Sequence, residues 1–229
     1  KTLAENHAFT ILAGYSWQRD RYSNYWMQNY NFPSDDYTHN NMGSGQALKD
    51  GKASESSEAN ESRLIGYFGR LNYSYKGKYM FAASIRHEGS TKFGADHKWG
   101  NFPSASVAWN IKDEDFLTDT KALSILKLRA GYGITGTVPS NPYMSLNTLN
   151  FGTYVYYGGE WIKTIRPDSN ANPDLRWEKK KEVNIGIDFG FFDDVITGNI
   201  DYYNRKTEDL LWNYTVPSPP YLFSTMVAN

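Results

Sequence analysis

The sequence predicts an all-β chain, a partial antiparallel up-and-down transmembrane β-barrel of about seven strands, and three observations carry that reading. About seven stretches alternate apolar and polar residues with period two, as strands with one lipid-facing and one wet side do. The connections between them alternate long and short. Aromatics make up 16% of the residues, led by 18 Tyr, which suits rings gathered into belts at two membrane interfaces. A mean hydropathy of -0.64 does not oppose this, because only every second strand residue meets lipid and polar loops dilute the average. No run of about 18 apolar residues exists, so a helical span is excluded.

The first strand, about His7 to Arg19, places Phe9, Ile11, Ala13, Tyr15 and Trp17 on one face and Thr10, Gly14, Ser16 and Gln18 on the other. The polar stretch at about 20–62 has no sustained period, ends in a low-complexity run over Ala53 to Ser62, and reads as a long, partly mobile loop. The second strand, about Arg63 to Tyr75, turns Ile65, Tyr67, Gly69, Leu71, Tyr73 and Tyr75 outward and Arg70, Asn72 and Ser74 inward. A one-residue slip would point Arg70 at lipid, costing roughly 2 to 4 kcal/mol near the midplane, so the register is well specified. Lys76, Gly77 and Lys78 form a tight turn into a third strand with Tyr79, Phe81, Ala83 and Ile85 out and Ser84, Arg86 and Glu88 in.

An outer loop at about 89–100 leads to the fourth strand, Asn101 to Ile111, with Ala105, Val107, Trp109 and Ile111 on its apolar face. Within the connection Lys112 to Ser124, Asp113 is placed to cap one short helical turn. The fifth strand sets Leu126, Leu128, Ala130, Tyr132 and Ile134 against Lys127, Arg129, Gly131, Gly133 and Thr135. The loop at about 137–176 is proline-punctuated and ring-rich. The sixth strand alternates most cleanly: Val183, Ile185, Ile187, Phe189 and Phe191 share one face. After a turn at Asp193 and Asp194, the seventh puts Ile196, Gly198, Ile200 and Tyr202 out, and the chain beyond Leu211 reads as the start of a further loop.

Short turns at Lys76, Lys112 and Asp193 fall on one side and the long loops on the other, and in bacterial outer-membrane barrels the short turns face the periplasm. Tyr73, Tyr75, Tyr79, Trp109, Phe189 and Phe191 then cluster at the periplasmic rim, and Tyr15 and Trp17 at the outer one. With 24 Lys+Arg against 25 Asp+Glu the net charge is -1, which leaves no nucleic-acid footprint. The absence of cysteine removes disulfides and thiolate metal sites. The chain starts at Lys1 without a signal segment, pointing to processing or a missing start, and about seven strands cannot close such a barrel, so a fragment of a larger one is expected.

The residues themselves resemble a known family. Phe68-Gly-Arg-Leu-Asn-Tyr-Ser-Tyr75, the stretch Lys78 to Gly94, Trp99-Gly-Asn-Phe-Pro-Ser-Ala-Ser-Val-Ala-Trp109, Leu126-Lys-Leu-Arg-Ala-Gly-Tyr-Gly-Ile-Thr-Gly136, Asn172-Pro-Asp-Leu-Arg-Trp-Glu178, Asn184 to Phe189 and Asp201 to Leu211 look like the barrel of SusC/RagA-like TonB-dependent transporters. The resemblance covers roughly Phe9 to Leu211. It implies a larger plugged barrel of about 22 strands in the bacterial outer membrane. It also implies import of an oligosaccharide or peptide, a SusD-like surface lipoprotein over the outer loops, and energy from the TonB complex through an N-terminal plug that this sequence lacks. Glu88, Thr91 and Thr137 stand where the family often has Asp, Ser and Asn.

The candidate substrate-binding groups are outer-loop aromatics: Tyr25, Trp26, Tyr30 and Tyr37 in the first long loop, and Tyr154, Tyr156 and Trp161 in the second. Flat rings stack on sugar faces or grip an extended peptide, and the competing reading is that they pack loops together or against a lid protein. Asp35 and Asp36 beside Asn40 and Asn41 offer hard oxygen ligands for calcium, but without the spacing of a calcium loop, so no cofactor is assigned. Lys179, Lys180 and Lys181 could meet lipopolysaccharide phosphates or form a solvated strand end. The four histidines lack metal spacing and no Gly-x-Ser-x-Gly elbow occurs, so no enzyme is predicted. Two alternatives stay open: a soluble or surface-attached all-β carbohydrate-binding module, and a passive outer-membrane porin.

Overall fold

The computed structural model describes residues 2–4 and 6–229. Its strands are β1 (Thr2–Ala4), β2 (His7–Gln28), β3 (Ser54–Tyr75), β4 (Tyr79–Ser90), β5 (Trp99–Asn110), β6 (Leu123–Thr137), β7 (Leu149–Tyr157), β8 (Glu160–Pro167), β9 (Glu178–Phe191), β10 (Ile196–Glu208), β11 (Trp212–Thr215) and β12 (Thr225–Ala228). One sheet runs in the order β1-β2-β3-β4-β5-β6-β9-β10, and β7-β8 and β11-β12 form separate two-stranded sheets. The seven long strands of that sheet are the seven read from the alternation.

The pairing confirms the parity strand by strand. Tyr73, Phe81, Val107, Ala130, Ile185 and Tyr202 form one directly opposed row across six strands. Three residues along, Arg70, Ser84, Ser104, Gly133, Glu182 and Arg205 form another on the opposite face. A one-residue slip would place Asn72 or Ser74 of β3, Ser106 of β5, Arg129 of β6, Asn184 of β9 or Asp201 of β10 in the apolar row, so these strands fix the register. The short-turn end carries stacked rings, Tyr75 to Tyr79 and Tyr79 to Trp109 each at 6.3 Å between centroids, and a tilted pair, Phe9 to Tyr73 at 4.7 Å. At the other end Tyr15 meets Tyr67 at 5.2 Å, and Trp99 stacks on His87 at 4.6 Å. The Lys76–Gly77 turn has φ of 53° and 70°, the two positive values that a two-residue hairpin with matching twist requires.

Three connections differ from the expectation. The polar stretch 20–62 is loop only in its middle: β2 continues to Gln28 and β3 starts at Ser54, leaving a 3-10 turn over Asp35–Ser44 and one helical turn, Gln46–Lys49. Beyond a lipid layer both faces of a strand are wet, so the period-two signal disappears while the backbone still satisfies itself by pairing. The loop at 137–176 contains the hairpin β7–β8, and the turn expected at Asp113 is replaced by 3-10 turns at Ile111–Asp113 and Asp115–Leu117, with Glu114 between them. Contacts divide the chain into two compact units, Lys1–Gln18 with Arg63–Asn229, and Arg19–Ser62.

Candidate binding surface of the long-loop end

The inward face of the wall is a network of paired charges. Arg129 on β6 donates from Nε and Nη2 to Asp188 on β9 at 2.9 and 2.8 Å, and its Nη2 lies 3.1 Å from Asp201 on β10. Gly186 stands between Arg129 and Asp201 in the ladder, where a Cβ would fall 2.2 Å from the Asp201 carboxylate and 2.8 Å from Arg129 Nη2. Only glycine leaves the fork room to reach both acids. Arg205 donates to Glu182 at 2.7 Å, and Arg86 pairs with Glu88 and reaches Ser16, as their shared parity predicts. A groove of about 550 Å³ follows this face, lined by Arg70, Ser104, Thr135, Lys180, Glu182 and Arg205 among others. Such a wall suits a hydrated, hydroxyl-rich or zwitterionic solute.

At the long-loop end the ladder between β5 and β6 runs only as far as Ser104 opposite Gly133. Phe93, Phe102, Leu175 and Trp177 pack together beside the gap, with Leu175 and Phe93 almost fully buried. Gly100 on β5 and Gly136 on β6 both abut this cluster: a Cβ on either would fall 2.5 or 2.3 Å from the Phe102 ring. Trp177 Nε1 donates to the Lys98 carbonyl at 2.9 Å and the Gly94 amide donates to the Leu175 carbonyl at 3.1 Å. A Cβ on Gly94 would sit 1.7 Å from the Pro173 oxygen, so the two loops touch backbone to backbone.

Asparagines then bind the end of the chain to the segment before β9. Asn172 donates to the Val227 carbonyl at 3.0 Å, Asn170 to the carbonyls of Phe223 and Thr225 at 2.7 and 2.9 Å, and Asn229 to those of Arg176 and Asp209 at 3.0 and 2.8 Å. The buried Glu178 accepts the Leu211 amide at 3.0 Å and sits 3.3 Å from Lys180 Nζ. These residues fall largely in the stretches by which the sequence is recognisable. Sequence reading gave them no role, although Phe102, an aromatic flanked by Gly100 on a glycine-marked strand, was an available signal.

Of the predicted site residues, the structure brings together one pair. Tyr156 and Trp161 stand directly opposite each other on β7–β8, edge to face at 5.5 Å, and they are 64% and 68% exposed. Tyr154 is opposite Lys163, whose ammonium lies 5.9 Å from the Phe151 ring centroid. One hairpin face therefore presents Phe151, Tyr154, Tyr156, Trp161 and Ile165, all exposed. In the unit Arg19–Ser62, Tyr25 and Trp26 are consecutive on β2 and so project to opposite faces. Tyr30 follows the strand and Tyr37 lies in the 3-10 turn, both exposed. Asp36 is engaged with Ser34, whose hydroxyl accepts its amide at 3.2 Å and donates to its carboxylate at 3.1 Å. Among the described residues no group of three or more His, Cys, Asp or Glu could hold a metal ion.

Comparison with known proteins agrees with the geometry. The family described as TonB dependent receptor-like, beta-barrel, matches residues 2–225. The chain is similar to TonB-dependent receptor SusC of Bacteroides thetaiotaomicron, 44% identical over 164 residues, which is 69% of this chain and 16% of that protein. It is also similar to TonB-dependent receptor P3 of Formosa agariphila, 33% identical over 211 residues, 92% of this chain and 21% of the relative. Among solved structures, the RagAB peptide transporter aligns with a TM-score of 0.86 at 23% identity, covering all of this chain and 24% of that one. The chain thus spans about a fifth of the length of the relatives it matches.

Proposed function

This chain belongs to the TonB-dependent receptor β-barrel family, and from that premise we propose that it forms part of the wall and outer loops of an importer of bulky nutrients. In this reading the long-loop end faces the outside of a bacterial outer membrane, the short turns face the periplasm, and substrate moves when TonB acts on a plug carried elsewhere in the protein. The observation that carries it is the two-faced sheet: an uninterrupted apolar row backed by the Arg129–Asp188–Asp201 network, a wall built for lipid on one side and polar solute on the other. A soluble module would have no use for six aligned strands of exposed apolar residues, which supports transport over the module reading.

The substrate class is an oligosaccharide or a peptide, met by exposed outer-loop rings, Trp26 in the unit Arg19–Ser62 and, separately, Tyr156 and Trp161 on the β7–β8 hairpin, with a SusD-like lipoprotein as lid. The proposal is tested in the full-length receptor, in cells lacking their own copy, by uptake of labelled oligosaccharides and peptides with and without TonB. Uptake should require TonB, and Trp26→Ala with Trp161→Ala should lower it severalfold at unchanged surface expression. Uptake that persists without TonB would make the protein a passive pore, and unchanged uptake in the double variant would reduce those rings to packing.

A further inference from the structure

We propose that three outward-facing lysines at the long-loop end of β9 and β10, Lys179, Lys181 and Lys206, hold the phosphate of an outer-leaflet lipid headgroup. Parity puts them on the lipid face: Lys181 and Lys179 continue the outward series Ile187, Ile185 and Val183, and Lys206 continues Ile200, Tyr202 and Asn204. Lys206 lies directly opposite Lys181, and Lys179 directly opposite Glu208. Like charges opposed across a ladder destabilise it. The carboxylate of Glu208 bridges the opposed pair, 2.6 Å from Lys181 and 3.1 Å from Lys206. Asp209, next along the chain from Glu208, also acts on Lys181, so three cations face two carboxylates and leave an excess of one positive charge, which a phosphate would complete.

The height of the group identifies the ligand. From Phe191 to Val183 the outward positions are apolar over eight residue steps, about 26 Å of strand at ~3.3 Å per residue. With a tilt of about 40° this covers roughly 20 Å of an apolar band about 25 Å tall. Tyr132, directly opposite Val183, and Tyr202, opposite Ile185, supply rings near the top of the band. The next outward positions are the lysines, at headgroup level, with alkyl stems long enough to lie along the apolar band while the ammonium stays in the polar layer. A transported solute would run along the other face of the sheet, so the anion within reach is that of a lipid. This inference uses only the outside orientation of the long-loop end and is independent of what is imported.

The test uses the full-length receptor in neutral detergent, with native mass spectrometry and lipid titration. The probes are phosphorylated lipid A, the same lipid enzymatically dephosphorylated, and inorganic phosphate. The wild type should retain phosphorylated lipid A in preference to the other two. K179Q, K181Q and K206Q should weaken it about fivefold each, the usual worth of one cation near an anionic membrane surface. K179R, K181R and K206R should preserve binding, and inward-facing Lys127→Gln should leave it unchanged. Equal binding of dephosphorylated lipid would overturn the proposal in favour of acyl-chain contact, equal occupancy by inorganic phosphate in favour of a free-anion site, and equal loss in K127Q in favour of bulk charge. If the glutamine variants fail to assemble, the arginine set and the dephosphorylated lipid still decide. TonB-dependent uptake, measured on the same variants, separates this outcome from that of the import reading.

Discussion

The wall and the loop end of this molecule are both built from antiparallel strands with exposed rings, but they are stabilised in opposite ways. In the wall each strand from β3 to β9 is paired on both sides, and its apolar residues face outward in unbroken rows. At the loop end the hairpin β7–β8 stands as a two-stranded sheet with rings exposed, and order comes from a small buried cluster at Trp177 and from asparagine clamps on backbone carbonyls. Isolated two-stranded hairpins are marginal in water. The wall therefore has its stability distributed along ladders, whereas the loop end has it concentrated in a few side chains, and that contrast sets the size of the response to single substitutions.

The largest effect is expected at the concentrated site. Trp177→Ala removes the indole from a nearly closed cluster, together with its bond to the Lys98 carbonyl, and such truncations cost about 3 to 5 kcal/mol. In the full-length receptor, hydrogen exchange should accelerate over 91–98 and 170–178 while the strands from Tyr79 to Asn110 keep their protection. Equal loosening of both regions would break the contrast, because it would mean the cluster supports the wall as well.

Next in size comes the wall's lipid face. Ile187→Arg places a cation among Leu128 and Ile200 in the outward row, at roughly 2 to 4 kcal/mol near the midplane, and should reduce the heat-resistant folded fraction in outer-membrane extracts. Its inward neighbour tolerates change better: Asp188→Asn weakens the fork from Arg129, but Asp201 remains within 3.1 Å of the same guanidinium. Similar losses at both positions would contradict the assignment of faces. A smaller effect still is expected of Tyr156→Ser with Trp161→Ser, which removes one exposed edge-to-face pair, worth about 0.5 to 1.5 kcal/mol. Assembly should be indistinguishable from wild type, and any loss should appear in solute capture.

The same contrast explains what was legible in the sequence. The wall follows a local rule: side chains alternate and the bilayer selects every second one, so Val183 to Phe191 reveals its own faces. The extensions Arg19–Gln28 and Ser54–Ser62 obey no such rule because water lies on both sides. The loop cluster was hidden because its members come from three separate segments and meet only once the strands are paired, Trp177 finding Lys98 across 79 residues. The hairpin was legible in principle: Gly158 and Gly159, with φ of 65° and 92°, form a Gly-Gly turn flanked by apolar runs. Sequence composition could name Tyr156 and Trp161 as candidates, but only the register makes them a pair.

The smallest and most local prediction concerns the short-turn end, where one loop carboxylate ties the ring belt to its turn. Glu114 accepts hydrogen bonds from the Tyr79 hydroxyl at 2.6 Å and from the Trp109 indole at 2.9 Å, and lies 3.4 Å from Lys78 Nζ. The Tyr79 bond first, then the Trp109 and Lys78 contacts, hold its carboxyl below the ordinary carboxylate value. A depressed acid stabilises the fold above its unfolded pKa and loses that contribution as pH falls through the lower, folded value. Lys78 works in the other direction: desolvation pulls its pKa down, but Glu114 and Asp115 outweigh it and leave the pKa raised. Its contribution is present below the ordinary lysine value and lost only at strongly alkaline pH. Acidification below the carboxylate range should therefore weaken the Trp109 bond from a charge-assisted to a neutral one and speed exchange over 109–117. Glu114→Gln keeps an acceptor for both rings at every pH, so its indole resonance should not move with pH. If the variant titrates as the wild type does, the responsive group is another carboxylate, and the belt is held by ring stacking alone.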